Sequence, residues 1–200
     1  MSTRYLTVAE LKSYVRSEMV TEDDVYEAAI QTAETMLDNA CGRKFVVATT
    51  STARSYMPSG GNLLFIHDCV AITSVVENTT TLTTAIDYQP EPLNGLSMAG
   101  ESQPYYVLRR LSYYGRKWWN WYGIPGQATI TVTAQWGWAA IPPQIKESCK
   151  IIAKDVFLQR NTTGFGLVAI TDAGGIGTRE NRIVNEAIVD YQRADAIVVG

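Results

Sequence analysis

Ala128-Thr129-Ile130-Thr131-Val132-Thr133-Ala134-Gln135-Trp136 runs straight into Gly137-Trp138-Ala139-Ala140-Ile141-Pro142-Pro143, and the change of period between the two stretches decides the fold. In the first, Ile130, Val132 and Ala134 alternate with Thr129, Thr131, Thr133 and Gln135, as in a strand with one buried face and one hydroxyl-lined face. After the prolines the spacing becomes helical. Ile145, Cys149, Ile152, Ala153 and Val156 form one stripe, with Lys146, Lys150 and Lys154 opposite. Proline is tolerated in a first helical turn, and Ile141 can staple it. The helix is expected to stop near Arg160, where Asn161-Thr162-Thr163-Gly164 breaks the pattern.

Upstream of this junction the chain is β-favouring back to Arg43. Phe45 to Val47, Ala53 to Met57, Leu63 to Ile66 and Val70 to Glu77 are short runs separated by Pro58-Ser59-Gly60-Gly61, by His67-Asp68 and by Asn78-Thr79. Asp87 to Gln89 and Tyr105 to Leu111 add two more. Before Arg43 the period is helical again. Thr7-Val8-Ala9-Glu10 has the form of a capping box, opening a helix from Val8 to about Ser17 that buries Val8, Leu11 and Val15. Thr21-Glu22-Asp23-Asp24 opens a second, with acids suited to the positive end of the helix dipole. Its stripe is Val25, Ala29, Ala33, Met36, Leu37 and Ala40, and Gly42 ends it. A last helical segment is expected from Arg179 to Ala194, after a flexible loop at 164–178 and before the tail Asp195 to Gly200.

The fold class that follows is α+β. A helical bundle, made of the N-terminal helix pair and the C-terminal helices, encloses an inserted antiparallel β-domain of sandwich or barrel-like form. The expected divisions are residues 1–42 and 142–200 for the helical domain and 43–141 for the insertion.

Bulk properties narrow the function. Net charge is −3 and pI about 5.2, which disfavours a generic nucleic-acid binder. The acidity is local: Met1 to Ala40 carries eight acids and three bases, whereas Cys41 to Ile141 carries five acids and seven bases. Cys41, Cys69 and Cys149 have neither zinc spacing nor the even count of a disulfide framework. A reducing compartment is the natural setting, and no leader or membrane span is recognisable. The lone His67 reads as a polar turn residue, since one histidine cannot make a usual zinc site and no nucleophile is spaced to use it. Gly174-Gly175-Ile176-Gly177 lacks the lysine and preceding strand of a phosphate loop. Glu22, Asp23 and Asp24 point in different directions around a helix start and do not converge on a metal. No catalytic residue, metal site or cofactor is expected.

Tyr113-Tyr114-Gly115-Arg116-Lys117-Trp118-Trp119-Asn120-Trp121-Tyr122-Gly123 gathers six large rings and two bases. Three fates are open to them: packing over one end of the β-domain, a protein interface, or ligand binding by stacking. Each ring has roughly 150–250 Å² to hide, too much for one hairpin tip to bury six.

The order of segments resembles the head–tail connector (adaptor) proteins of tailed bacteriophages. The likeness is carried by Tyr5 to Lys12, by Asp23 to Phe45 ending in Asn39-Ala40-Cys41-Gly42-Arg43-Lys44-Phe45, by Leu63 to Val76 with Ile86-Asp87-Tyr88, and by Gly137 to Lys146 leading into Cys149 to Arg160. These are fold signatures spread over most of the chain. The long β-insertion and the aromatic stretch depart from smaller members. The resemblance implies a non-enzymatic virion protein, made in the bacterial cytoplasm, that forms a ring, dodecameric in relatives. It implies portal protein on one side, a stopper or tail-completion protein on the other, and DNA passing through the lumen without specific binding. Candidate contact residues are Arg116, Trp118, Trp119, Trp121 and Tyr122 in the aromatic stretch, Arg179, Arg182 and Tyr191 on the last helix, and Ile197, Val198 and Val199 in the tail. The alternative is a carbohydrate- or protein-binding β-module using Trp118, Trp119 and Trp121.

Overall fold

The computed structural model describes residues 4–16, 23–58, 61–96, 102–111, 119, 129–159 and 181–193. The chain is α+β, and its described residues form four α-helices and an antiparallel sheet of six strands. Its described residues sort into two compact units, one from Lys44 to Ala140, the other from Arg4 to Arg43 with the residues from Ile141 onward.

In the helical unit, α1 spans Val8–Val15. The Thr7 hydroxyl accepts from the Glu10 amide while the Glu10 carboxylate accepts from the Thr7 amide, so the capping box forms as its residues dictate. Arg16, left-handed at φ 59°, closes the helix. The second helix, α2, spans Asp23–Cys41 and ends at Gly42, whose φ of 64° is the left-handed turn that glycine adopts without strain. Its buried stripe is Tyr26, Ala29, Ile30, Ala33, Leu37 and Cys41. That stripe is rotated from the expected one: Tyr26 stacks on Phe157 at 4.3 Å, and Met36 is left half exposed. Helix α3, Pro143–Gln159, buries Ile145, Cys149, Ile151, Ala153 and Phe157. Helix α4, Arg182–Tyr191, is capped by Asn181 and buries Ala187; Arg193 donates its amide to the Cys41 carbonyl at 3.1 Å. The residues ahead of α1 are fastened to α2 by Tyr5, through main chain and side chain, and by an Arg4–Glu27 pair at 3.9 Å. Tyr5 gives its amide to Glu34 at 2.8 Å and its hydroxyl to Asp38.

The sheet unit comprises β1 (Thr52–Tyr56), β2 (Leu63–Glu77), β3 (Thr80–Leu82), β4 (Tyr88–Glu91), β5 (Tyr105–Arg110) and β6 (Ile130–Trp136). They pair in the order β1-β6-β2-β5-β4, with β3 on β2. Among the described residues this path has two ends, β1 and β4, so the pairing is that of one sheet and shows neither a second layer nor a closed barrel. The organising element is β2. Sequence patterning places a turn at His67-Asp68, but the strand runs through it for 15 residues. Register slips between Phe65 and Cys69, Cys69 and Ala71, and Ile72 and Ser74 bend it. Its first part pairs with β5 and its later part with β6 and β3. One face of the sheet holds the core: Leu64, Ile66, Val75, Leu108, Ile130, Val132 and Trp136 among others. The Thr131, Thr133 and Gln135 face stays half exposed, as the alternation requires.

Phe45 to Val47 forms no strand. It packs instead on the end of β6, with Phe45 5.2 Å from Trp138 and the Ala48 amide donating to the Trp136 carbonyl at 2.7 Å. Gly137 makes this possible. Its φ is 104°, and a Cβ there would lie 1.9 Å from the Val46 carbonyl oxygen. The Gly137 amide donates to the Asp68 carbonyl at 2.7 Å, and the Trp138 indole to the buried Asp68 carboxylate at 2.9 Å.

Two expectations follow. Gly137→Ala has no room on the backbone side and should cost about 3 kcal/mol or more in chemical denaturation, a loss reported by the near-ultraviolet signal of Trp136 and Trp138. In the helical unit, the Lys146 ammonium and the Thr7 cap hold the Glu10 carboxyl at about 2, below its usual 4.5. A depressed carboxyl stabilises above its unfolded value and loses that contribution as pH falls. Glu10→Gln should therefore lower Tm at pH 7, and the difference from wild type should vanish between pH 4.5 and 2. Thr7→Ala should cost about 1 kcal/mol.

Candidate functional site

Two arginines of the sheet unit are matched to carboxylates within it. Arg110, at the end of β5, is 7% exposed and its guanidinium donates to Glu77 of β2 at 3.0 Å, itself 6% exposed. A second arm of the guanidinium donates to the Asp87 carbonyl at 3.1 Å. On β5 and β4, Arg109 is held against Glu91, with contacts at 2.5 and 3.1 Å. The Trp119 ring lies 5.4 Å from the Arg110 guanidinium, 1% exposed. Its amide donates to the Gly61 carbonyl at 3.0 Å and its indole to the Leu108 carbonyl at 3.3 Å. Trp119 is thus a core residue of the sheet unit and not a surface contact. Sequence reasoning missed this because six rings crowded into one short stretch give no period from which the burial of any one could be read.

Asp87 also builds a rigid turn between β3 and β4. Its carboxylate accepts from the Thr83 amide at 2.9 Å and its amide donates to the Thr83 carbonyl at 2.8 Å. The Ala85 amide donates to the Tyr88 carbonyl at 2.8 Å, and the Thr84 hydroxyl to the buried Tyr88 hydroxyl at 2.7 Å. From β5's end, the Leu111 amide donates to the Asp87 carbonyl at 2.9 Å. These bonds hold Ala85 at a φ of 64°, a left-handed conformation that non-glycine residues rarely take and that persists only where the surroundings over-determine it. At the tip stands Ile86, 71% exposed. The Asp87-Tyr88 pair singled out in the sequence is therefore structural: Asp87 braces the turn and Tyr88, 2% exposed, enters the core.

A cleft of about 180 Å³ opens elsewhere on the same unit. Val70, Pro104, Tyr105, Trp138 and Ala139 give it hydrocarbon, and Asn94, Ser102 and Gln103 give it polar edges. Its shape depends on Gly95, at φ 61°, where a Cβ would meet the Gln103 carbonyl oxygen at 3.2 Å. Exposed Leu93 and Leu96 flank Gly95 in the chain.

The remaining candidate residues separate. Arg182 is exposed on the first turn of α4 and pairs with Glu186 at 2.7 Å. Tyr191 is half-buried at the end of that helix. Arg116, Trp118, Trp121, Tyr122, Arg179, Ile197, Val198 and Val199 lie outside the described residues, as do the 164–178 loop and the Gly174–Gly177 stretch. His67 sits on β2, its Nδ1 2.8 Å from the Tyr56 hydroxyl, beside Trp136. Asp23 pairs with Lys12. Among the described residues no three His, Cys, Asp or Glu side chains gather as metal ligands would, and no helix is long and apolar enough to cross a membrane. Burial pushes the thiols of Cys41, Cys69 and Cys149 up to about 11, 12 and 12. Burial likewise raises the Glu34 carboxyl, against the lowering pull of the Tyr5 amide and Arg4.

No protein-family model and no curated protein matches the chain. Among solved structures it is similar to a chain from the neck of an empty GTA particle computed with C6 symmetry. The TM-score is 0.58 at 14% identity, over 97% of this chain and 96% of that one. A chain from the neck of a native GTA particle computed with C12 symmetry gives 0.50 at 12%, over 97% and 96%. At these identities the likeness is one of fold, over essentially the whole length of both chains.

The buried Arg110–Glu77 pair generates a further expectation. Arg110→Met strands a buried carboxylate and should cost about 3–5 kcal/mol, whereas Arg110→Met with Glu77→Leu should recover much of it. Thermal melts of the two variants distinguish these outcomes.

Proposed function

We propose that the chain is a structural subunit of a head–tail neck, a connector that assembles with copies of itself into a ring and performs no chemistry. One observation carries the reading: a fold shared, end to end, with chains from particle necks computed with C6 and C12 symmetry. The segment order that resembles phage connector proteins supports it independently. A ring requires heterologous contacts between unlike faces of one subunit. On this reading portal protein contacts one side of the ring, a stopper or tail-completion protein the other, and DNA passes through an uncharged or acidic lumen that does not retain it. The helical residues 1–42 and 142–200 form the host domain and 43–141 the insertion. Arg116, Trp118, Trp121 and Tyr122 are assigned to contacts with neighbouring subunits, and Arg179, Arg182, Tyr191 and the tail Ile197 to Val199 to contacts with the portal. Trp119, buried in the sheet unit, is given no contact outside it.

Electron microscopy of the purified chain, alone and mixed with portal protein, tests the reading. Rings of six-fold or twelve-fold symmetry are expected. A chain that stays monomeric in both samples refutes it. Removing residues 195–200 should leave the fold intact and weaken attachment to portal; undiminished attachment would take the tail out of that contact.

A further inference from the structure

Exposed aliphatic side chains are ordinary when they stand singly on mobile surface. Ile86 is different in its mounting. Hydrogen bonds from Thr83, Thr84, Ala85 and Leu111 brace its turn, Arg110 ties the Asp87 carbonyl to Glu77, and Ala85 is held left-handed. A side chain presented on so constrained a turn has little main-chain freedom left to lose on docking, which is how a small apolar contact becomes worth much. The same unit carries a receptacle of fitting size. An apolar cavity of ~150 Å³ accommodates a benzene molecule; the cleft of about 180 Å³ beside Val70, Tyr105 and Ala139 accommodates a four-carbon isoleucine side chain. The carboxamides of Asn94 and Gln103 at this cleft can pair with the main chain of an entering turn.

We propose that Ile86 of one copy seats in the Val70–Tyr105–Ala139 cleft of the next copy, forming a knob-in-hole contact between neighbouring sheet units. The proposal rests on the ring reading and specifies one contact within it. Knob and hole are different surfaces of one unit, so the contact is heterologous. It propagates from copy to copy and closes wherever the rotation per step divides a full turn.

The test uses the full chain. Sedimentation velocity over a concentration series compares wild type with Ile86→Asp, Ile86→Leu and Ala139→Arg. Ile86 and Ala139 are exposed, and thermal melts check that each variant folds. Self-association should weaken roughly tenfold or more in Ile86→Asp and Ala139→Arg and persist in Ile86→Leu. In a second experiment Ile86→Cys with Ala139→Cys should give covalent oligomers on mild oxidation, a clean readout because the three native thiols are fully buried. Wild type that associates while Ile86→Asp associates equally well overturns this contact and leaves the ring reading standing. Weakened association without cross-linking of the double-cysteine chain overturns the assignment of the cleft. Wild type that is monomeric throughout overturns both readings together.

Discussion

The sheet unit depends on a clasp where the chain comes in and goes out. Residues 45–48 and 136–138 lie side by side there, and Gly137 is the point at which nothing larger than hydrogen fits against Val46. Asp68 fastens the same place from the middle of β2, taking the Gly137 amide on its carbonyl and the Trp138 indole on its carboxylate. Burying a carboxylate is costly unless donors surround it. The crossing of the chain supplies Asp68 with the Trp138 donor, and Asp68 in turn secures the crossing. Six strands and the connections between them, some ninety residues of chain in all, are strung between two segments that this one contact brings together.

Much of the rest was legible in local pattern. Thr7 and Glu10 announce the start of α1, Gly42 the end of α2, and the alternation from Ile130 to Trp136 a half-buried strand, because each signal acts within a few residues. What local pattern does not contain is long-range pairing. His67-Asp68 reads as a turn, yet β2 continues through it because Trp138, seventy positions away, supplies the donor that lets Asp68 be buried. The α2 stripe is centred on Tyr26 and Ile30 because Phe157 of α3 offers a ring to stack on, a fact absent from α2's own sequence. Trp119 could not be told from Trp118 or Trp121 for the same reason. Its burial is set by the Leu108 carbonyl and the Arg110 guanidinium. Composition made the aromatic stretch visible as a candidate, whereas the Ile86 turn and the Gly95 cleft arise only from how Asp87, Arg110 and Gly95 are placed in space.

Charge takes on a different meaning once positions are known. The surplus of bases between Cys41 and Ile141 suggests a basic face complementary to the acidic first helices. Arg109 and Arg110, however, are matched within the sheet to Glu91 and to Glu77 with Asp87. Arg54 lies 4.4 Å over the Trp136 ring, serving the packing of the β1–β6 edge. Two of the seven bases in that span are thus matched to carboxylates within the sheet unit, and a third lies over a ring.

The burial of the three cysteines has a consequence for the redox chemistry of the chain. With thiols held near 11 to 12, only about one in 10⁴ to 10⁵ is a thiolate at neutral pH, and the thiolate is the species that attacks. Each is also shut away from solvent. Thiols so placed react slowly with disulfides and oxidants, so a change of redox surroundings puts little chemical pressure on the packing around Cys41, Cys69 and Cys149.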